Sequence, residues 1–148
     1  MQLHTITTES GQKSLTESAE FSLPSGLIGL PNLTRFHLIA DPEIYPIVIL
    51  RHLGEEEIDF MAVDPSAVLS KYNMMTPDTD AEELGISPAG ENPLILNIAI
   101  IHPTDPKKIT VNLTAPVIIN RQTGIGKQIQ LENSSSYSAE HVLDIEAP

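Results

Sequence analysis

Alternation of apolar and polar positions runs through much of this chain. From Ile109 to Ile119 every odd position is apolar: Ile109, Val111, Leu113, Ala115, Val117 and Ile119. The even positions are Thr110, Asn112, Thr114, Pro116, Ile118 and Asn120. A period of two puts one set of side chains on a core, so the spacing predicts a half-buried strand. Pro116 has no amide hydrogen to offer a ladder and predicts a sheet edge or a bulge. Arg121-Gln122-Thr123-Gly124 predicts a turn, because Gly takes positive φ without a Cβ clash. Beyond it Ile125, Lys127, Ile129 and Leu131 alternate with Gly126, Gln128 and Gln130, which completes a hairpin.

Shorter runs repeat the pattern. Leu15, Ala19, Phe21 and Leu23 share a face of residues 14–23, and Phe36 and Leu38 do so within 34–39. Residues 45–53 and 57–63 flank the turn Gly54-Glu55-Glu56-Glu57. Leu94 to Ile101 is apolar on both faces apart from Asn97, as expected of a strand covered on both sides. Gly26-Leu27-Ile28-Gly29 predicts a turn; it lacks the Lys and Ser/Thr of a phosphate loop. Two short helices are predicted. One starts at Asp64-Pro65-Ser66 and runs to about Tyr72. The other starts at Thr76-Pro77-Asp78, with acids in its first turn and Gly85 just past its end. Asn133 to Ser138 reads as a loop. Many short strands, punctuated by twelve prolines, predict one mainly β domain over residues 1–148, a sandwich or barrel with one or two short helices.

Composition narrows the partners. At 148 residues the chain can bury a normal core unaided. It has no Cys, hence no disulfide, thiolate nucleophile or Cys-ligated zinc, which fits the cytosol. Aromatics are 4% and Trp is absent, against a base-stacking platform. The formal charge of −12 repels phosphate backbones and anionic membranes and attracts a basic protein. By thirds the charge is about −3, about −8 over residues 51–100, and about −1. The expectation is therefore no direct nucleic acid, no membrane, and an acidic middle third that either solubilises or docks. The N-terminus has no signal-peptide pattern, and the longest apolar stretches fall far short of the ~18 residues of a spanning helix.

Little catalytic chemistry is legible. His4, His37, His52, His102 and His141 are scattered, with no metal-ligand spacing. Asp78-Thr79-Asp80-Ala81-Glu82 opens like a calcium loop, but Glu83 replaces the required Gly and Ala89 the terminal Glu. Glu55, Glu56, Glu57 and Asp59 form the densest acid cluster, which suits solvation or docking better than glycosidase chemistry. No catalytic set, metal or cofactor emerges, which favours a binding protein over an enzyme.

A family resemblance names the partners. The block Asn112-Leu113-Thr114-Ala115-Pro116-Val117-Ile118-Ile119-Asn120, followed by Gly126-Lys127-Gln128 and Leu131, resembles the N-L-x-A-P-[IV]-x-[IV]-N…G-x-Q pattern of the FliW flagellar assembly factors. Phe21 to Leu30, then Phe36, resembles their F-x-x-G-L-P-G-F turn, with Ile28 in place of Pro and Leu30 in place of Phe. Phe60 to Pro65 and Tyr72 resemble their central strand, D-P and Y. Near the end the family often reads Y-x-x-R-H; Glu140 here reverses that charge.

The resemblance implies a small, antiparallel β-barrel-like fold in the bacterial cytoplasm. It implies a protein, monomeric when free, that binds the translational regulator CsrA and relieves its repression of flagellin synthesis. Flagellin itself is the competing partner. The family is described as non-competitive with RNA; the acidic charge would also permit RNA mimicry. On this reading Glu55, Glu56, Glu57 and Asp59 steer the basic regulator. Asn112 and Asn120, on the polar face of their strand, either contact a partner or serve turn hydrogen bonding. Gly26, Gly29, Gly124, Pro116 and Gly126 are backbone requirements. The alternative is a small-ligand-binding β-barrel with no role in translation, which would need a lined apolar cavity.

Overall fold

The computed structural model describes residues 18–55, 58–86, 93–102 and 104–143. Strands β1 (Ser18–Ser22), β2 (Arg35–Ala40), β3 (Ile47–His52), β4 (Asp59–Val63) and β5 (Leu94–His102) form an antiparallel meander, each hydrogen-bonded to the next. The far edge of β5 is shared by two strands. Strand β6 (Asp105–Val111) pairs with its C-terminal part and β7 (Val117–Ile119) with its N-terminal part. Strand β8 (Gly126–Gln128) pairs with β7, and β9 (His141–Leu143) pairs with β6. Ser22 bridges to Ile125, and its N–H donates to the Gly124 carbonyl at 2.8 Å. The sheet therefore curls until the β7–β8 hairpin meets the end of β1, which makes the fold barrel-like. β6 and β9 continue past the closure as a flap.

Period-two burial explains the curl. Leu94, Leu96 and Ile98 of β5 face the main core with Phe21, Phe36 and Leu50. Phe36 stacks on Phe21 at 5.5 Å and meets Phe60 edge-on at 6.2 Å. On the other face of β5, Ala99 joins Val63, Val111 and Leu113 in a second core. Ile95 packs against a third, where Leu84, Ile118 and Ile129 lie under helix α1 (Asp78–Leu84). Strand β5 is thus covered on both faces as expected, except at its end: Ile100 and Ile101 are exposed.

The strand expected over 109–119 is in fact two. Ala99 faces Val111 and Leu96 faces Val117, so two residues of β5 oppose the five residues 112–116. Three extra residues bulge out around Pro116, as its missing amide hydrogen foretold. The buried parity survives, with Leu113 and Ala115 still inside. The helix expected from Asp64 to Tyr72 is only a 3-10 turn, Pro65–Ala67, capped by Asp64 Oδ1 accepting from Ser66 N at 2.9 Å. Val68, Leu69 and Tyr72 instead pack on the second core, where burial outweighs weak helix propensity. The second helix starts at Asp78 and ends at Gly85 (φ 71°), whose N–H bonds to Glu82 while Ile86 N–H bonds to Ala81. Lys127 ties it to β8 through Asp80 at 2.6 Å and Glu83 at 3.0 Å. Leu15, Glu56 and Glu57 lie outside the described residues.

Gly26 has φ 73°, and a Cβ there would lie 2.4 Å from the Leu30 carbonyl oxygen. Gly29 has φ 87° but open space where a Cβ would stand. Gly29→Ala is expected to cost about 1–2 kcal/mol of conformational strain. Gly26→Ala should cost at least ~1 kcal/mol more, since backbone atoms must shift. Urea denaturation of the two variants measures the difference; equal losses would show that close approach is irrelevant at Gly26.

Candidate protein-docking groove

Where β5 leaves the barrel its side chains keep their alternation but lose their cover. Ile98, Ile100 and His102 continue the inward parity of Leu94 and Leu96. Ile100, Thr110 and Val142 form one row across β5, β6 and β9. Ile98 and Asn112 lie beside it on the barrel side, where Asn112 N–H donates to Ile98 O at 2.9 Å. Lys108 lies on the side of the β5–β6 turn. Facing this sheet is the β1–β2 connection with Leu27, Ile28 and Leu30. Between the two walls runs an open groove of about 540 Å³. Ile100 is 61% exposed, Ile28 58% and Val142 53%. Ile28, Ile100 and Val142 thus form a cluster of exposed branched residues rather than a scatter, which makes the groove the candidate docking surface.

Side chains hold both walls in place. Gln128 Oε1 accepts from Ile28 N–H at 2.8 Å, and its Nε2 donates to the Ala115 carbonyl at 3.1 Å. One residue of β8 therefore clamps the β1–β2 loop to the bulge. Beneath the bulge, Asn97 is fully buried and donates to Asn112 O at 2.9 Å and Tyr72 Oη at 3.2 Å. Tyr72 Oη–H donates to the Leu113 carbonyl. Burial raises the Tyr72 hydroxyl above the ordinary tyrosine value, so it stays a donor across the physiological range.

The sequence-predicted residues scatter. Asn112 borders the groove, but its Oδ1 accepts from Thr114 N–H at 2.9 Å and Thr114 Oγ1 at 2.7 Å. Asn120 is 8% exposed, not on an open polar face as expected. It donates to Leu84 O at 2.8 Å and accepts from Gln122 N–H at 2.8 Å, holding helix and hairpin turn together. Pro116 is buried at the bulge, and its carbonyl accepts from Ile129 N–H at 2.9 Å. A Cβ on Gly126 would meet Ile118 O at 2.7 Å, which explains that glycine by cross-strand approach. Glu55 is exposed at the β3–β4 turn. Asp59 is not a bare anion: it takes two bonds from Arg51, at 2.8 and 3.0 Å. Among the described residues, no group of three or more His, Asp or Glu could hold a metal ion. Nor is any helix among them long and apolar enough to cross a membrane. Sequence reasoning named Gln128 and Ile28 only as motif positions and missed Ile100 and Val142. For Ile100 the available signal was the apolar run to Ile101, read as cover on both faces.

A family model described as "FliW protein" matches residues 4–143. The chain belongs to the FliW family. It is similar to the flagellar assembly factor FliW of Thermotoga neapolitana, 34% identical over 139 residues, which are 94% of this chain and 92% of that one. It is also similar to the flagellar assembly factor FliW of Clostridium botulinum strain Alaska E43, 30% identical over 133 residues (90% and 92%). A crystal structure of the flagellar assembly factor FliW shares the fold, with TM-score 0.74 and 24% identity over 87% of this chain and 88% of that one. The FliW motif residues of this chain divide by task. Gly126 permits strand approach, Lys127 anchors α1, and Gln128 clamps the groove wall.

The Arg51 hydrogen bonds hold the Asp59 carboxyl below its ordinary value of 3.8, outweighing a small desolvation penalty. A carboxyl depressed in the folded state stabilises above the unfolded value and loses that contribution as pH falls through the folded one. The pair is solvent-screened, so its worth is at most about 1 kcal/mol. Asp59→Asn should therefore be less stable than the parent by no more than about 1 kcal/mol at pH 7. The gap should close in chemical denaturation as pH falls through the lowered Asp59 value; a gap that persisted once the carboxyl is protonated would place its origin elsewhere.

Proposed function

We propose that this chain is a non-enzymatic regulatory binding protein of flagellum assembly, acting in the cytoplasm on CsrA and flagellin. The observation that carries the reading is the exposed apolar groove on a member of the FliW family. The groove offers branched side chains on two clamped walls, which suits an apolar protein segment. Flagellin is the occupant proposed for it. CsrA, which must be basic where it grips RNA phosphates, is drawn by the charge of −12 and above all by the acids of residues 51–100. Each partner then reports on the other: flagellin held on the chain lowers its affinity for CsrA, and linkage makes the effect mutual. Leaving RNA binding to the regulator's own two states fits a non-competitive effect, since RNA and the chain need not share a site. The free chain is expected to be a monomer.

The packed interior favours this over the small-ligand reading. Phe21, Phe36, Leu23, Leu50 and Leu96 are each at most 1% exposed inside the curled sheet. Among the described residues, the groove lies outside the closure and is open rather than an enclosed chamber.

Calorimetric titration with purified CsrA, and separately with flagellin, at low and high salt tests the proposal. Ile100→Asp should weaken flagellin at least ~10-fold and leave CsrA nearly unchanged. Lys at Glu55, Glu56, Glu57 and Asp59 together should slow CsrA association and flatten its salt dependence. Absence of binding to both partners by the unmodified chain would reduce the family likeness to one of fold.

A further inference from the structure

The groove carries two charges whose placement is asymmetric. Lys108 lines it at the end near the β5–β6 turn, and Glu140 lines it just before β9. Thr110 faces Val142 across β6 and β9. Asn112 is two residues on from Thr110, and Glu140 two residues back from Val142, so Glu140 lies at the barrel end. Four residues of β6 separate the Lys108 and Asn112 levels, about 13 Å at ~3.3 Å per residue. Between the two charges stand Ile100 and Val142, both more than half exposed.

Neither charge is used in an ion pair among the described residues. Arg35 pairs with Glu20, Arg51 with Asp59, and Lys127 with Asp80 and Glu83. No ion pair among the described residues engages Lys108 or Glu140, and both residues are exposed. An acid and a base held apart on one apolar floor form a dipole along the groove.

We propose that the groove is polarised. It takes an apolar protein segment with a basic residue at the barrel end, over Glu140, and an acidic residue at the turn end, over Lys108. The ~13 Å spacing corresponds to four residues of an extended segment or eight to nine of a helix. Such charges discriminate partners and orientations more than they add affinity, because like charges brought together are penalised. The inference rests on the groove being the flagellin site proposed above, and it adds the direction in which the segment lies.

The test is calorimetric titration of the full chain with its own flagellin at low and high salt, using K108E, E140K, the double variant K108E/E140K and I100D. The double variant keeps the net charge of the parent, which separates polarity from overall attraction. Each single variant should weaken binding about 3–10-fold at low salt, and the double variant should bind more weakly than either. High salt should narrow all three differences. All three alter exposed groups, and thermal melts matching the parent would verify their folds. A double variant that binds like the parent overturns the proposal, as do single variants with opposite effects that follow net charge. If I100D abolishes binding while the charge variants do nothing, the groove is the site and polarity is wrong. If I100D binds as well as the parent, the segment lies elsewhere, and both the groove assignment and its polarity fall.

Discussion

The architecture depends on one strand being apolar on both faces. Strand β5 contributes Leu94, Leu96 and Ile98 to the main core, Ile95 to the core under α1, and Ala99 to the second core. Burial on both faces forces neighbours onto both, and no single flat sheet supplies them. The sheet must curl over one face, while helix and loops cover the other. The bulge at 112–116 follows from the same demand, because one strand cannot track β5 along its whole length while the sheet closes. Three extra residues let β7 turn into the barrel and β6 turn out of it.

The groove is the remainder of that division. At Ile100 the strand has passed the barrel mouth, so the face that was interior becomes the floor of an open channel. Its apolar character is continuous with the core and carries no separate sequence signature. What makes it a stable surface is polar bonding beneath and beside it. Gln128 spans loop and bulge, and Asn97 with Tyr72 satisfies the carbonyls that the bulge frees from the ladder. Bulged backbone left unpaired in a buried setting would be costly, which accounts for polar residues in an otherwise apolar wall.

The FliW motifs therefore describe scaffolding more than contact. Asn120, Gly126 and Pro116 are explained by the helix seat, the close strand approach and the bulge. The surfaces suited to recognition are a run of branched side chains and two charges, Lys108 and Glu140, that no ion pair among the described residues engages; their meaning comes from what faces them. The acidic β3–β4 region is less uniform than its composition suggests, since Arg51 neutralises Asp59 within it.

Much of the fold was legible in order. Period-two alternation located β1 to β4 to within a few residues and the turn of the β7–β8 hairpin, though it merged β6 and β7 into one strand; Pro116 marked the bulge, and Gly85 the end of α1. These features depend on side-chain parity and local backbone freedom, which neighbouring residues determine. The family was legible for a similar reason, because its motif encodes tight turns and close approaches. The short turn at Pro65 was not, because burial of Val68, Leu69 and Tyr72 in a distant core overrode local helical tendency. Nor was the groove. Ile98 and Ile100 have the same parity and the same kind of side chain, yet one is half-buried and the other is 61% exposed. Only the point at which the sheet curls away from β5 decides between them, and that depends on a closure between Ser22 and Ile125, distant in sequence.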